Sequence, residues 1–373
     1  MQRSVTEADH RSGPPCPATP PRPSAAILVP VVELRRFVAL VFAGLGLPSD
    51  DAEIQARALI EAHLRGFETH GVNCIPDYAL CLSQGRINPR PRIRIERRLP
   101  WAAVIDGDNG MGHVVATRAM EAALESAGAL GIGAAAVRHG NHFGAASVYA
   151  AMAIEHDCIG FATANAAPTV APWGSHTGLV GTNPVAVAVP AGRRPPFVMD
   201  LATSAAARRK FRQAAEEGRS LPEGWALDAE GNPTTDPRAA IDGIALPFGG
   251  AKGSALALLV DILAGVLTGA EFAGGVLSFH KNQRRHAHVG AFVMAVKVAT
   301  FMPVARFKAR MDTLAERVNA LPPAPGFDRV RVPGERGARL AAEMGAHGIP
   351  LAPALVATLA ALGAELGVPF PAP

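Results

Sequence analysis

Between Trp101 and Asp200 the chain is written as five short β-rich runs, AAVID, IGAAAV, CIGFATAN, PVAVAVP and FVMD. Gly, Pro and Asn separate them, and helix-like patterns fill 114–130 and 145–155. Short apolar runs bounded by turn residues are strands of a buried sheet, and helical apolar spacing between them lays helices on its faces. This stretch predicts an α/β core. Helical patterns flank it: Val31 to Gly44, then a helix through Ala62 that opens on a capping-box-like Asp50 and Glu53. Two more lie at 253–268 and 304–320, with the strand VGAFVMAVK between them, and the last fifty or so residues read as helix around a Pro-Gly-Glu turn at 333–335. The segment 222–250 is rich in turn residues and too long for an ordinary connection, which predicts a functional or dimer-contacting loop. A chain of 373 residues exceeds the size at which one core keeps growing, so two packed domains are expected.

Residues 1–25 mix charge with six prolines and lack the apolar segment of a signal peptide, which predicts a disordered tail. No run approaches the ~20 apolar residues of a membrane-spanning helix, so no membrane partner is expected. The formal charge of +4 is spread along the chain and aromatics make up only 5%. That balance suits a small anionic substrate rather than nucleic acid, whose sites need a basic stripe with stacking platforms. Cys16, Cys74, Cys81 and Cys158 form no CxxC pair, which predicts reduced thiols in the cytoplasm and no zinc site.

Several motifs carry candidate chemistry. Gly110-Met-Gly112 follows a strand and opens a helix, but its third small residue, Ala116, comes one position late for a dinucleotide fingerprint. No acidic residue follows at the distance a ribose partner requires, so the stretch reads first as a plain strand-to-helix turn. Gly249-Gly-Ala-Lys252 has phosphate-loop ingredients without the required glycine spacing; it reads equally as a phosphate-binding helix start or a turn with an exposed lysine. His70, beside Gly71, and His142, in His139-Gly-Asn-His142-Phe-Gly144, lie in glycine-flanked turns, where a histidine serves as a proton donor near neutral pH or as an ordinary packed side chain. Thr69 is placed to orient His70, and Tyr78 shares the His70 face if the chain stays helical past Pro76. Thr182, in Gly-Thr-Asn-Pro, offers a hydroxyl to a carboxylate or closes a turn. Asp200 accepts from a ribose hydroxyl or caps the helix that follows it.

Taken in order, THGVNxIPxY, DGDNGMG, HGNHFGAA, GTNP, DLATS, GWALDAEGNPTTDP, AKGSALALLVDILAGVLTGA and VPGE closely resemble the type II malate/L-lactate dehydrogenase family, from about residue 30 to 370. Ureidoglycolate, sulfolactate and diketogulonate dehydrogenases and Δ1-piperideine-2-carboxylate reductases belong to it. The resemblance implies hydride transfer between NAD or NADP and C2 of a small 2-oxo, 2-hydroxy or cyclic 2-imino acid, in a cytoplasmic homodimer. The implied fold is non-Rossmann: an α/β domain at 101–325 with a mixed, mostly antiparallel sheet, and a helical domain built from 26–100 and 326–373. By motif position, His70 and His142 match proton donors, Thr69 the hydroxyl assisting the first, Tyr78 and Thr182 substrate contacts, and Asp200, Leu201, Ala202, Lys252, Gly334, Glu335 and Arg336 dinucleotide contacts. Two positions depart. Cys74 stands where the family usually has a substrate-side arginine, and Arg209 where it tends to have glycine. A thiol supplies neither the charge nor the paired donors of a guanidinium. The departure leaves a rival expectation, a dinucleotide-binding homologue with impaired or altered activity. A hydrolase using Thr69 and His70 as nucleophile and base is a third, weakened because chain neighbours rarely aim at each other.

Overall fold

A computed structural model describes residues 26–279 and 285–372; the segment expected as a tail, with Cys16, lies outside them. Strand β1 (Ile27–Val29) leads into helices α1 (Val31–Gly44) and α2 (Ser49–Leu64). Two single-turn 3-10 helices, Glu68–His70 and Val72–Cys74, precede α3 (Ile75–Ser83). The centre is β2 (Arg94–Leu99), β3 (Ala102–Asp106), α4 (Gly112–Leu130), β4 (Ile132–Gly140), α5 (Ala146–Met152), β5 (Cys158–Ala164), β6 (Val185–Val189) and β7 (Phe197–Leu201). After it come α6 (Arg208–Glu216), β8 (Ala226–Leu227), β9 (Pro233–Thr234), α7 (Pro237–Asp242) and β10 (Ile244–Ala245). Then α8 (Ala251–Asp261) runs into a π-helical turn at Ile262–Val266, followed by β11 (Val289–Lys297), α9 (Val304–Asn319), α10 (Glu335–His347), β12 (Ile349–Leu351) and α11 (Pro353–Glu365).

Seven strands form one mixed sheet in the order β2-β3-β4-β11-β5-β6-β7. Only β3 and β4 pair in parallel, and α4 is the crossover that makes this possible; every other neighbouring pair is antiparallel. The late strand β11 inserts between β4 and β5, so Val293 faces Ala135 on one side and Ala162 on the other. Alanine-rich strands let α4 and α5 settle closely on the sheet, and Met120, Tyr149 and Val293 are fully buried there. A second core joins the two ends of the chain: Leu34, Phe42, Leu59 and Ile75 pack with Met344 and Ile349. Burying each of these large side chains contributes about 1.5–3 kcal/mol. A third, small core gathers Val170, Phe211, Ala226 and Ala257.

Several elements differ from the sequence expectation. α2 starts after Pro48, which has no side-chain acceptor, so no capping box forms; Asp50 and Asp51 sit in the first turn and favour the helix dipole instead. The long segment at 222–250 is not an irregular loop, because β8, β9 and β10 make their own three-stranded sheet with α7 beside it. The C-terminal helices are interrupted by β12, which pairs antiparallel with β1 and ties the two ends together. β2, Arg-Ile-Glu-Arg-Arg-Leu, is exposed throughout, a charged edge strand that discourages edge-to-edge association. Among the described residues no helix is long and apolar enough to cross a membrane.

Candidate active site

Gly71 shapes the strip from Glu68 to Tyr78. A Cβ there would lie 2.7 Å from Cβ of His63 on α2, so only glycine lets the turn lie against that helix. The chain makes one 3-10 turn on each side of it and enters α3 with Pro76 in the first turn, where a missing N–H costs no helix bond. Thr69 Oγ1 lies 2.9 Å from Nδ1 of His70, so these chain neighbours do face each other, contrary to the general expectation. The Cys74 thiol is buried and donates to the Thr69 carbonyl at 2.8 Å. Burial, with the nearby Asp77 charge adding to it and Arg209 opposing it, pushes this thiol up to about 12, so it stays neutral.

Tyr78 does not meet His70 along a helix face; it reaches the other histidine. Its hydroxyl lies 2.6 Å from Nδ1 of His142, its ring packs on Phe279 at 4.6 Å, and His113 stands edge-on to it at 5.2 Å. Burial raises the phenol well above its usual range, so the hydroxyl keeps its proton. His142 is stacked between His70, at 5.7 Å and 22°, and Phe279, at 4.7 Å and 14°.

Asparagines and a glycine fix the loop that carries His142. Asn141 Nδ2 donates to the Asn109 and Gly110 carbonyls, each at 2.9 Å, latching this loop to the one before α4. A Cβ on Gly112 would lie 2.2 Å from the His142 carbonyl oxygen, so helix and loop touch backbone to backbone. His139 turns away, with Nδ1 3.0 Å from Asp106 Oδ1. Burial would raise the Asp106 carboxyl, but the hydrogen bonds from His139, the Asp108 N–H and Arg94 outweigh it and hold the carboxyl below its ordinary value. Sequence reasoning missed His113 and Phe279. His113 directly follows Gly112, which was a usable signal; burial, then the charge of His70, pushes it down to about 3. Phe279 carried none, since only the fold brings it to Tyr78.

The remaining residues gather around the edge strand β7. Asp200 Oδ2 accepts from the Ser147 N–H at 2.8 Å and so caps α5 across space, not the helix that follows it. Burial raises its carboxyl, partly offset by Ser147. Leu201 and Ala202 are exposed just beyond. The Thr182 carbonyl accepts the N–H and hydroxyl of Thr203, and the Thr203 carbonyl accepts Phe248 N–H, which ties Thr182 to the start of α8. Lys252 is exposed there. Gly334, at φ 102°, packs on the beginning of β7, where a Cβ would lie 2.6 Å from the Pro196 oxygen. Glu335 accepts from Val332 N–H and Asn319, holding that turn, and Arg336 is exposed. The candidates thus form two groups, Thr69, His70, Cys74, Tyr78 and His142 in one, and the β7 surroundings in the other, joined through Ser147 and Asp200.

The family model described as malate/L-lactate dehydrogenase matches residues 29–360. L-sulfolactate dehydrogenase of Methanocaldococcus jannaschii is 39% identical over 301 residues, 81% of this chain and 86% of that protein. (2R)-3-sulfolactate dehydrogenase (NADP(+)) of Chromohalobacter salexigens is 36% identical over 320 residues, 84% of this chain and 93% of that protein. The solved sulfolactate dehydrogenase structure from Methanocaldococcus jannaschii superposes with a TM-score of 0.87 at 36% identity, covering 92% of this chain and 98% of that one. With the motif order, the mixed sheet and the histidine site all on one chain, the protein belongs to the malate/L-lactate dehydrogenase family.

Proposed function

We propose that this protein is an NAD(P)-dependent oxidoreductase acting at C2 of a small 2-oxo, 2-hydroxy or cyclic 2-imino acid, with the His70–His142 pair exchanging the proton. The observation that carries this reading is the stacked pair itself, with the Tyr78 hydroxyl hydrogen-bonded at His142 Nδ1 and Thr69 at His70 Nδ1. In reduction a histidine N–H gives its proton to the substrate oxygen or nitrogen, and in oxidation it takes the proton back. A bound nicotinamide supplies or accepts the hydride. The exposed apolar β7 end at Leu201 and Ala202, the tight Gly334 turn and the exposed cations Lys252 and Arg336 suit an extended dinucleotide with charged phosphates. This is a non-Rossmann mode, on an edge strand of a mostly antiparallel sheet. The shared core of Leu34, Phe42, Met344 and Ile349 supports a helical domain built from 26–100 and 326–373 beside an α/β domain at 101–325.

The same reading makes the working species a cytoplasmic homodimer. Leu256, Leu259, Ile262 and Val266 form an exposed apolar stripe along α8 and its π-helical turn, which suits contact with a second copy. Cys74, Cys81 and Cys158 are free thiols, which suits a reducing compartment.

Loss of reduced-nicotinamide absorbance with a panel of 2-oxo acids, sulfopyruvate and piperideine-2-carboxylate tests the activity. His70→Ala and His142→Ala are expected to leave at least one variant with kcat lower by about 10²–10⁴-fold. If both keep full activity, the proton assignment is wrong. The buried Cys74 thiol keeps a second reading alive, an altered homologue that binds dinucleotide without turnover; dinucleotide binding without turnover, with activity appearing only in Cys74→Arg, would establish it.

A further inference from the structure

Helix α3 ends on a left-handed glycine that decides where Arg86 goes. Gly85, at φ 67°, donates its N–H to the Leu82 carbonyl, and the Arg86 N–H returns to the Cys81 carbonyl at 2.9 Å. This paired closure turns the chain off the helix axis and leaves Arg86 buried, not on the surface where arginine usually lies. One guanidinium nitrogen, Nη2, donates to the Ser278 carbonyl at 3.1 Å and to the Phe279 carbonyl at 3.0 Å. Arg86 pairs with no carboxylate among the described residues, and its Nε is buried without a partner. Burying a cation on two neutral carbonyls is costly, and an apolar side chain would fill the space at lower cost. What the arginine contributes is its hold on those carbonyls.

The held segment carries the ring that covers the histidine site. Phe279 stacks on His142 at 4.7 Å and 14°, and the same ring meets Tyr78, whose hydroxyl reaches His142 Nδ1, at 4.6 Å. Residues 277–279 lie in no helix or strand, so holds from outside the segment, not a helix or sheet ladder, fix where the ring lies. Arg86 reaches the same histidine by a second route. Its carbonyl accepts from Asn109 Nδ2 at 3.0 Å, the Asn109 carbonyl accepts from Asn141 Nδ2 at 2.9 Å, and Asn141 directly precedes His142. Side chain and backbone of one residue thus serve both the ring stacked on His142 and the loop that carries it.

Resting on the function proposed above, we propose that Arg86 is a positioning residue for the proton-exchanging pair: by holding the Ser278 and Phe279 carbonyls it lays the Phe279 ring on His142 and keeps that imidazole stacked on His70. Arg86 acts through Phe279 and touches neither substrate nor dinucleotide. Its loss therefore falls on the rate of proton exchange and not on binding of the acid.

Histidine resonances of the isotope-labelled full-length chain read this without turnover. At about pH 9 an ordinary imidazole is neutral, so the His142 Cε1–H shift reports the rings stacked on it; the resonance is identified by its disappearance in His142→Asn. Phe279→Leu removes the ring and sets the displacement of an uncovered imidazole. Arg86→Gln is expected to move the same resonance in the same direction, and to lower kcat about tenfold with KM for the acid within about threefold, since misplacement by about 1 Å costs up to 10²-fold in rate. Arg86→Met, which fills the same space without a polar group to bury, carries the same expectation and serves where Arg86→Gln is unstable. Arg86→Lys returns one nitrogen with donors for both carbonyls and is expected to bring the resonance back toward wild type and kcat to within about threefold of it. Added to Phe279→Leu, Arg86→Gln is expected to lower kcat by less than about twofold more, because the two residues act as a unit. Gly133→Ala, crowded between α4 and β4, is expected to lose stability and leave the resonance in place. An unmoved resonance in Arg86→Gln and Arg86→Met, an equal movement in Gly133→Ala, or fully multiplicative losses of kcat in the double variant each overturn the proposal. If the wild type turns over no acid, the proposed function fails while the resonance still decides the role of Arg86. If an acid is turned over and Arg86→Gln keeps both resonance and kcat, the function stands and the positioning role fails.

Discussion

His63 illustrates how one buried side chain couples the site to pH. It lies on α2 directly beneath Gly71, is almost fully buried, and neither ring nitrogen has a partner among the described residues. Burial pushes it down to about 4. Its folded value lies below the unfolded one near 6.5, so between those values the unfolded chain binds more protons and stability falls as pH falls. The loss is complete near pH 4 and is on the order of 3 kcal/mol; His113, down to about 3, extends the decline to lower pH. Denaturant midpoints measured from pH 7 to 4 are expected to fall steeply in wild type and less steeply in His63→Leu. Parallel slopes would mean that His63 is not held neutral. None of this is visible in the histidine's sequence context, Ala-His-Leu within an amphipathic helix, because burial depends on what lies across from it.

At the scale of elements, the site is made by the contact between the start of α4 and the loop after β4. Gly112 permits it, and a methyl group there meets two backbone oxygens, at 2.2 Å from His142 and 2.3 Å from Asn141. Gly112→Ala is expected to lower stability by about 1–3 kcal/mol and kcat by tenfold or more, since the loop that carries His142 must move. Gly133→Ala is the matched control: its Cβ would lie 2.0 Å from the Ala123 oxygen, equally crowded but between α4 and β4 away from the histidines. A similar thermal shift with unchanged activity per folded molecule is expected there. Equal losses of activity in both variants would reduce the Gly112 effect to general destabilisation. Elements themselves were largely legible: the five β-rich runs are β3 to β7, and the helix pattern at 114–130 is most of α4. Among those that escaped notice are β1 and β12, three residues each, which exist only because they pair with each other across the length of the chain.

At the scale of the whole molecule, the exposed apolar stripe on α8 is the face through which the proposed homodimer would form. Placing an arginine at its centre, Leu259→Arg, is expected to halve the mass measured by light scattering in solution without changing the monomer's helix content. A wild type that already runs as a monomer at micromolar concentration rules out the homodimer. The segment at 222–250 folds on its own small core around Phe211 and Ala226, and the exposed apolar stripe lies on the helix after it.

What the sequence determined by itself was local. Apolar spacing assigned the core strands and most helices, glycine and proline marked the turns that hold His70 and His142, and the order of short motifs pointed to the family. Only the tertiary structure decided the pairings: Tyr78 serves His142 and not His70, Asp200 caps α5 and not its own helix, and β11 enters the middle of the sheet. Spacing along a chain encodes which side of an element is apolar, but it does not encode which other element meets that side. Those meetings join residues tens to more than a hundred positions apart, and they are selected by the packing of the whole core.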